Sequence, residues 1–254
     1  MSSSYKPLAG KVALITGASK GIGAATALEL ASLGANVVIN YSSDATPAEA
    51  LVKKIGSEQA VAIKANAGDV PEIERLVKET VDKWGKIDIL IPNAGVSPMA
   101  TVEQTTEADF DKAYQLNVKG PYFLVQKAIP HMSSGSHVIL LSTSLCALSS
   151  ITPNYLLYVS TKGAIEQITR VLAKDLGTKG ISVNAVAPGP TGTDLFFNGK
   201  SQQLVDTIAS WNPYKRIGEP QEIARAIGFF AGSKSSWVNG QILRVNGGMT
   251  VGPC

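Results

Sequence analysis

Four short runs, Val12–Ile15, Val37–Ile39, Ile87–Ile91 and Val138–Leu141, are built from branched and aliphatic residues, with Asp88 and Ala13 the only departures. Strands buried on both faces read this way, whereas a half-exposed strand alternates. The segments Ile22–Leu33, Val70–Trp84, Ala108–His131 and Val159–Leu176 instead place apolar residues three and four apart, the spacing of one helix face. Such alternation of strands and helices predicts right-handed crossovers, and hence a doubly wound α/β fold with helices on both faces of a mostly parallel sheet. No linker rich in Pro, Gly or Ser divides the chain, so residues 1–254 are expected to form one domain. Only the stretch from about Pro188 to Pro213 lacks a period, and residues 190–213 are expected to form a loop over the site.

Composition narrows the function. A chain of 254 residues with 44% hydrophobic residues can bury one good-sized core. The net charge of +3 is small, and Lys and Arg are interspersed with Asp and Glu, which argues against nucleic acid as a partner. Met1–Pro7 is polar and no stretch holds 18 uninterrupted apolar residues, so no membrane association and a cytoplasmic location are expected. Two distant cysteines, Cys146 and Cys254, and two histidines offer no metal-ligand cluster.

The first strand runs into Thr16-Gly17-Ala18-Ser19-Lys20-Gly21-Ile22-Gly23, followed by a helical segment. Glycines in a strand-turn-helix unit let the backbone approach a pyrophosphate at the positive helix N-terminus, the signature of a Rossmann-type dinucleotide site. The second strand ends Asn40-Tyr41-Ser42-Ser43, a tip expected to face the adenosine end of the cofactor. An acid there would bind the ribose of NAD and repel a 2′-phosphate. None is present; Asp44 lies further on. Lys20 supplies positive charge and Ser42 and Ser43 supply hydroxyls, so NADP(H) is the expected cofactor.

Tyr158 and Lys162 stand four apart at the start of a helical segment, on one face. A phenol is a poor acid at neutral pH, but a neighbouring ammonium stabilises phenolate, so Lys162 is expected to lower the pKa of Tyr158 toward a useful range. Ser144 follows the strand Val138–Leu141, where such folds bind ligands, and is expected to hold a carbonyl oxygen. Ser142 is a second candidate.

In order along the chain stand Thr16-Gly17 with Gly21 and Gly23, Asn93-Ala94-Gly95, Asn117, Ser144, Tyr158 with Lys162, and Pro188-Gly189-Pro190 with Thr193. From about Leu8 to Gly248 the sequence thereby resembles the short-chain dehydrogenase/reductase family. Leu140–Ser144, Val186–Pro190 and Trp237–Gly248 look like its NADPH-dependent carbonyl reductases from fungi and plants. The resemblance implies a tetrad in which Asn117 holds a water near Lys162, Ser144 polarises the carbonyl and Tyr158 protonates the nascent alkoxide. It also implies that Lys162 binds the nicotinamide ribose, that Asn93, Ala94 and Gly95 line the cofactor, and that Pro188, Gly189, Thr191 and Thr193 flank the nicotinamide. Assembly as a homotetramer or homodimer is implied too.

Three departures stand out. Asn66 and Ala67 occupy the place where the family has an acid against adenine, and Asn66 can still accept through its amide oxygen. Pro92 precedes Asn93 where the family often has asparagine. The segment between Ser144 and Tyr158 is longer than in many relatives. The apolar groups from Leu195 to Trp211, with Leu145, Cys146, Tyr155 and Leu156, suit an apolar, cyclic or aromatic ketone. Oxidation of a secondary alcohol with NAD, and a cofactor-binding protein without chemistry, are the alternatives.

Overall fold

The computed structural model describes residues 6–251; residues 1–5 and 252–254, Cys254 included, lie outside the described residues. The apolar runs become β1 (Val12–Ile15), β2 (Asn36–Tyr41), β4 (Ile89–Ile91) and β5 (His137–Leu141). They are joined by β3 (Ala60–Lys64), β6 (Ser182–Pro188) and β7 (Ile242–Val245) in one sheet of order β3-β2-β1-β4-β5-β6-β7. Every pairing is parallel. The doubly wound α/β fold is therefore present.

Helices α1 (Gly21–Ser32), α2 (Thr46–Ile55) and α9 (Pro220–Phe230) pack on one face of the sheet, and α3 (Val70–Trp84), α5 (Gly120–Ala128) and α6 (Leu156–Gly177) on the other. Period-two alternation divides the strand residues between the two cores. Ile139 and Leu141 join the core with α1 and α9, while Val138 and Leu140 join that with α6. β6 escapes the apolar-run pattern because Asn184 interrupts it. That asparagine is buried but satisfied, donating to the Val238 carbonyl at 2.8 Å and accepting from Gln241 N–H at 3.0 Å.

The expected continuous helix Ala108–His131 is interrupted. α4 (Glu107–Tyr114) is followed by a π-turn at Gln115–Lys119, then α5, then a 3-10 turn at Ile129–His131. Gly120 passes so close to the loop after β3 that a Cβ would collide with the Ala67 carbonyl, and Pro121 carries no N–H for the ladder. The wide turn carries Asn117 into the interior, a use typical of π-bulges at functional sites.

The 190–213 segment also departs from expectation. It forms α7 (Asp194–Phe197) and α8 (Gln202–Ala209), whose starts are capped by Thr193 and Ser201 hydroxyls accepting from Phe196 and Leu204 N–H. These helices are too short for periodicity to announce them. Among the described residues no helix is long and apolar enough to cross a membrane.

Candidate active site

Chain order reverses between β1 and β4, and the crevice beyond their C-terminal ends is where open α/β sheets bind ligands. Glycine shapes the turn there. Gly17 and Gly21 take φ of 60° and 57°, values that side chains disfavour. Gly23 serves close packing instead, because a Cβ would lie 2.4 Å from the Gly17 carbonyl oxygen and 2.6 Å from Asn93 Nδ2.

Two asparagines pin this turn from behind. Asn93 donates to the carbonyls of Thr16 at 2.9 Å and Gly17 at 3.1 Å. Asn40 accepts from Gly17 N–H at 3.2 Å and donates to Ile63 and Ala65 carbonyls at 3.2 and 3.0 Å. Asn40 is buried with both ends of its amide engaged, so it holds the cradle's shape while also lining the cavity.

A cavity of about 990 Å³ opens from this turn. Ser19, Lys20, Ile22, Tyr41, Ser42, Asn66 and Ala67 line it near β1 to β3; Asn93, Ala94, Gly95, Pro188, Gly189, Thr191 and Thr193 line it at the ends of β4 and β6. Ser43 does not reach the wall, contrary to expectation. Asp44 turns its carboxylate to Thr46 N–H at 3.0 Å, at the start of α2. Asn66 Oδ1 already accepts from Gly68 N–H at 3.0 Å, leaving one lone pair for a ligand. The Thr191 hydroxyl donates to the Gly189 carbonyl at 2.8 Å.

Tyr158 and Lys162 occupy the first two turns of α6, at the same cavity. Lys162 Nζ donates to the Leu141 carbonyl at 2.8 Å and stands 5.9 Å from the centre of the Tyr158 ring. Burial governs both groups. It pushes Tyr158 up to about 12, opposed by a hydrogen bond from Thr143, and pushes Lys162 down to about 8. The expected fall in the Tyr158 pKa is thus corrected, because loss of solvent around a phenolate dominates and raises it. At neutral pH Tyr158 holds its proton, the state a proton donor needs.

Residues 17–250 match the family model described as "Enoyl-(Acyl carrier protein) reductase". The chain is 42% identical over 255 residues to "Short chain dehydrogenase mdpC" of Emericella nidulans, covering 95% of this chain and 96% of that protein. It belongs to the short-chain dehydrogenase/reductase family. "Hydroxynaphthalene reductase-like protein Arp2" of Metarhizium anisopliae is 40% identical over 257 residues, with 96% of each covered. The solved angucycline C-6 ketoreductase LanV with bound NADP superposes with a TM-score of 0.91 at 32% identity, covering 97% of this chain and 98% of that one.

Asn117 and Ser144, which short-chain dehydrogenase/reductase motifs suggest, have different surroundings, and only Ser144 departs from its expected place. The Asn117 side chain accepts from Val96 N–H at 2.9 Å and donates to the Val96 carbonyl at 2.9 Å and the Thr161 hydroxyl at 3.0 Å. It ties the loop after β4 to α6 and makes no direct bond to Lys162. Ser144 is fully buried, with its hydroxyl between the Ala187 carbonyl at 2.8 Å and Asn246 Nδ2 at 3.1 Å, off the cavity wall. The expected carbonyl contact from Ser144 is therefore not available in this arrangement. Ser142 also lines the cavity, and its hydroxyl donates to Glu166 Oε1 at 3.1 Å.

The residue between them, Thr143, was missed by motif matching. It lies on the cavity wall with Tyr158, whose pKa it lowers against the effect of burial. Strand alternation carries the signal that finds it. Val138 and Leu140 face the α6 core and Ser142 continues that register, leaving residue 143 to emerge elsewhere. Apolar side chains line the same cavity, Leu145, Phe196, Phe197, Ile208, Trp211 and Met249, together with Tyr155. Cys146 and Leu156, expected there, do not line it; Leu156 is 54% exposed and Cys146 turns toward Ser142 at 3.8 Å.

Proposed function

We propose that this chain is an NADP(H)-dependent reductase that converts an apolar, cyclic ketone to a secondary alcohol, with Tyr158 as proton donor. One observation carries the reading: a proton-holding phenol with a lysine behind it shares a single cavity with a glycine cradle at a helix N-terminus. The cradle fits a dinucleotide, because its left-handed glycines admit a pyrophosphate close to backbone N–H groups at the start of α1. When bound, the cofactor supplies the hydride. Tyr158 gives its proton to the carbonyl oxygen, and the Lys162 ammonium stabilises the phenolate left behind. Phe196, Phe197 and Trp211 offer apolar faces to a ring system and exclude water. A panel of ketones, including bicyclic ones, assayed by NADPH loss tests this reading. No turnover of any member overturns it, and faster reaction of alcohols with NAD supports the oxidative alternative.

The turned-away carboxylate of Asp44, with Lys20 and Ser42 on the wall, favours NADPH over NADH. LanV, solved with NADP, is consistent with this. Ser42→Asp places a carboxylate at the tip of β2, and is expected to weaken NADPH binding about tenfold or more by charge repulsion. Fluorescence titration with both nucleotides checks it; unchanged NADPH affinity contradicts the assignment.

With Lys162 lowered to about 8 and Tyr158 raised to about 12, kcat for reduction is expected to fall as pH rises through about 8. Lysine is charged below its pKa and neutral above it, so the phenolate loses its stabilising charge on the alkaline side. A kcat–pH profile checks this, and an activity flat from pH 7 to about 10 contradicts it.

A homotetramer or homodimer is proposed as well. Apolar side chains remain exposed on α4 to α6 and around β7, including Tyr122 at 50%, Val171 at 68% and Trp237 at 98%. Such surface is suited to pairing with a second copy.

A further inference from the structure

We infer that Lys200 is a specificity residue for the reduction proposed above, selecting ring ketones that carry an anionic oxygen, such as a carboxylate, over neutral ones. The inference rests on that reading of the cavity and adds a charge to it. Leu195, Phe196 and Phe197 of α7 reach the cavity wall, and Lys200, just beyond that helix, lines it with them. The Lys200 Nζ donates to the Phe196 carbonyl at 2.7 Å and stands 5.0 Å from the centre of the Phe196 ring. An aromatic face suited to a ring and a positive charge are thus side by side.

Helix capping explains only part of this arrangement. A lysine that bonds a carbonyl near a helix C-terminus is a common cap, but the bond to Phe196 uses one of three ammonium protons and neutralises no charge. None of the ion pairs among the described residues includes Lys200. Asp194 lines the same cavity without pairing to it. Burial meanwhile pulls the Lys200 pKa below the ordinary lysine value, because water is withdrawn and no anion replaces it. An anionic oxygen on the substrate supplies what is missing, opposite charge and acceptors for the remaining protons. Placement favours the substrate over the cofactor phosphates as the source of that oxygen. Thr193, at the start of α7, approaches the glycine turn, since a Cβ on Gly21 would lie 3.1 Å from its Cγ2. Lys200 bonds the other end of the helix, among the apolar groups expected to hold the substrate.

The test measures kcat and KM for indanone carboxylates, with the acid at each position of the benzo ring in turn, against their methyl esters. Wild type, Lys200→Met and Lys200→Arg are compared, with NADPH affinity by fluorescence and Tm measured alongside. Wild type is expected to prefer at least one acid over its ester in kcat/KM, chiefly through KM. Lys200→Met should lower that acid-to-ester ratio about tenfold or more, Lys200→Arg should keep most of it, and NADPH affinity should hold in both. A purely structural cap would slow acid and ester alike and lower Tm, leaving the ratio unchanged, and that result overturns the inference. Preference for the ester at every position in wild type overturns it too. So does a loss of NADPH affinity in Lys200→Met with the ratio unchanged, which assigns the charge to the cofactor phosphates. A wild-type protein that turns over no ketone of either kind instead overturns the carbonyl-reducing reading, and the inference falls with it.

Discussion

Tyr158→Phe is expected to lower kcat for ketone reduction by about 10²–10⁴-fold, the contribution of a positioned proton donor. The substitution removes one oxygen and keeps the ring that lines the cavity, so NADPH affinity should stay near wild type. The effect belongs in kcat because the phenol's proton is needed only as negative charge develops on the substrate oxygen. Steady-state kinetics with a reactive diketone, paired with a nucleotide titration, separates the two quantities. Activity equal to wild type would remove Tyr158 from the mechanism, and lost NADPH binding would make its role structural.

Gly23→Ala is expected to have the second largest effect, through a different physical cause. The added Cβ would stand 2.4 Å from the Gly17 carbonyl oxygen and 2.9 Å from Ala18 Cα, both backbone atoms of the turn. A flexible side chain could move aside, but backbone cannot do so without opening the cradle. Overpacking of this kind costs about 1–3 kcal/mol, and here the strain falls on the turn expected to meet the pyrophosphate. Loss of NADPH affinity by about tenfold or more, with a fall in Tm, is the outcome expected. Calorimetric binding and thermal unfolding measure it, and unaltered NADPH affinity contradicts the cradle's assignment.

Gly10 and Gly56 show why not every glycine matters equally. Both have positive φ but nothing within 4 Å of an added Cβ. Substitution there strains the backbone alone, away from the site.

Much of the frame was legible in the sequence because its causes are local or periodic. Val12–Ile15 needs burial on both faces wherever it lies, and Val70–Trp84 presents one apolar face. The glycine turn and the four-residue spacing of Tyr158 and Lys162 are likewise properties of adjacent residues. The missed elements depend on distant partners. β6 tolerates Asn184 only because Val238 and Gln241 arrive from the far end of the chain to satisfy it. The π-turn around Asn117 accompanies contact between Gly120 and the loop after β3, which no helical period within 108–131 contains.

The sequence by itself determined the family, the parallel sheet, the glycine cradle and the Tyr158–Lys162 pair, since these follow from hydrophobic periodicity and short-range spacing. Tertiary structure alone decided that desolvation raises Tyr158 to about 12, that Asn40 braces the cradle, and that Thr143 reaches the cavity wall while Ser144 is locked between Ala187 and Asn246. Burial and hydrogen-bond competition among residues as far apart as 144 and 246 set those outcomes. Three neighbouring hydroxyls are chemically alike in sequence, and only what surrounds each one distinguishes them.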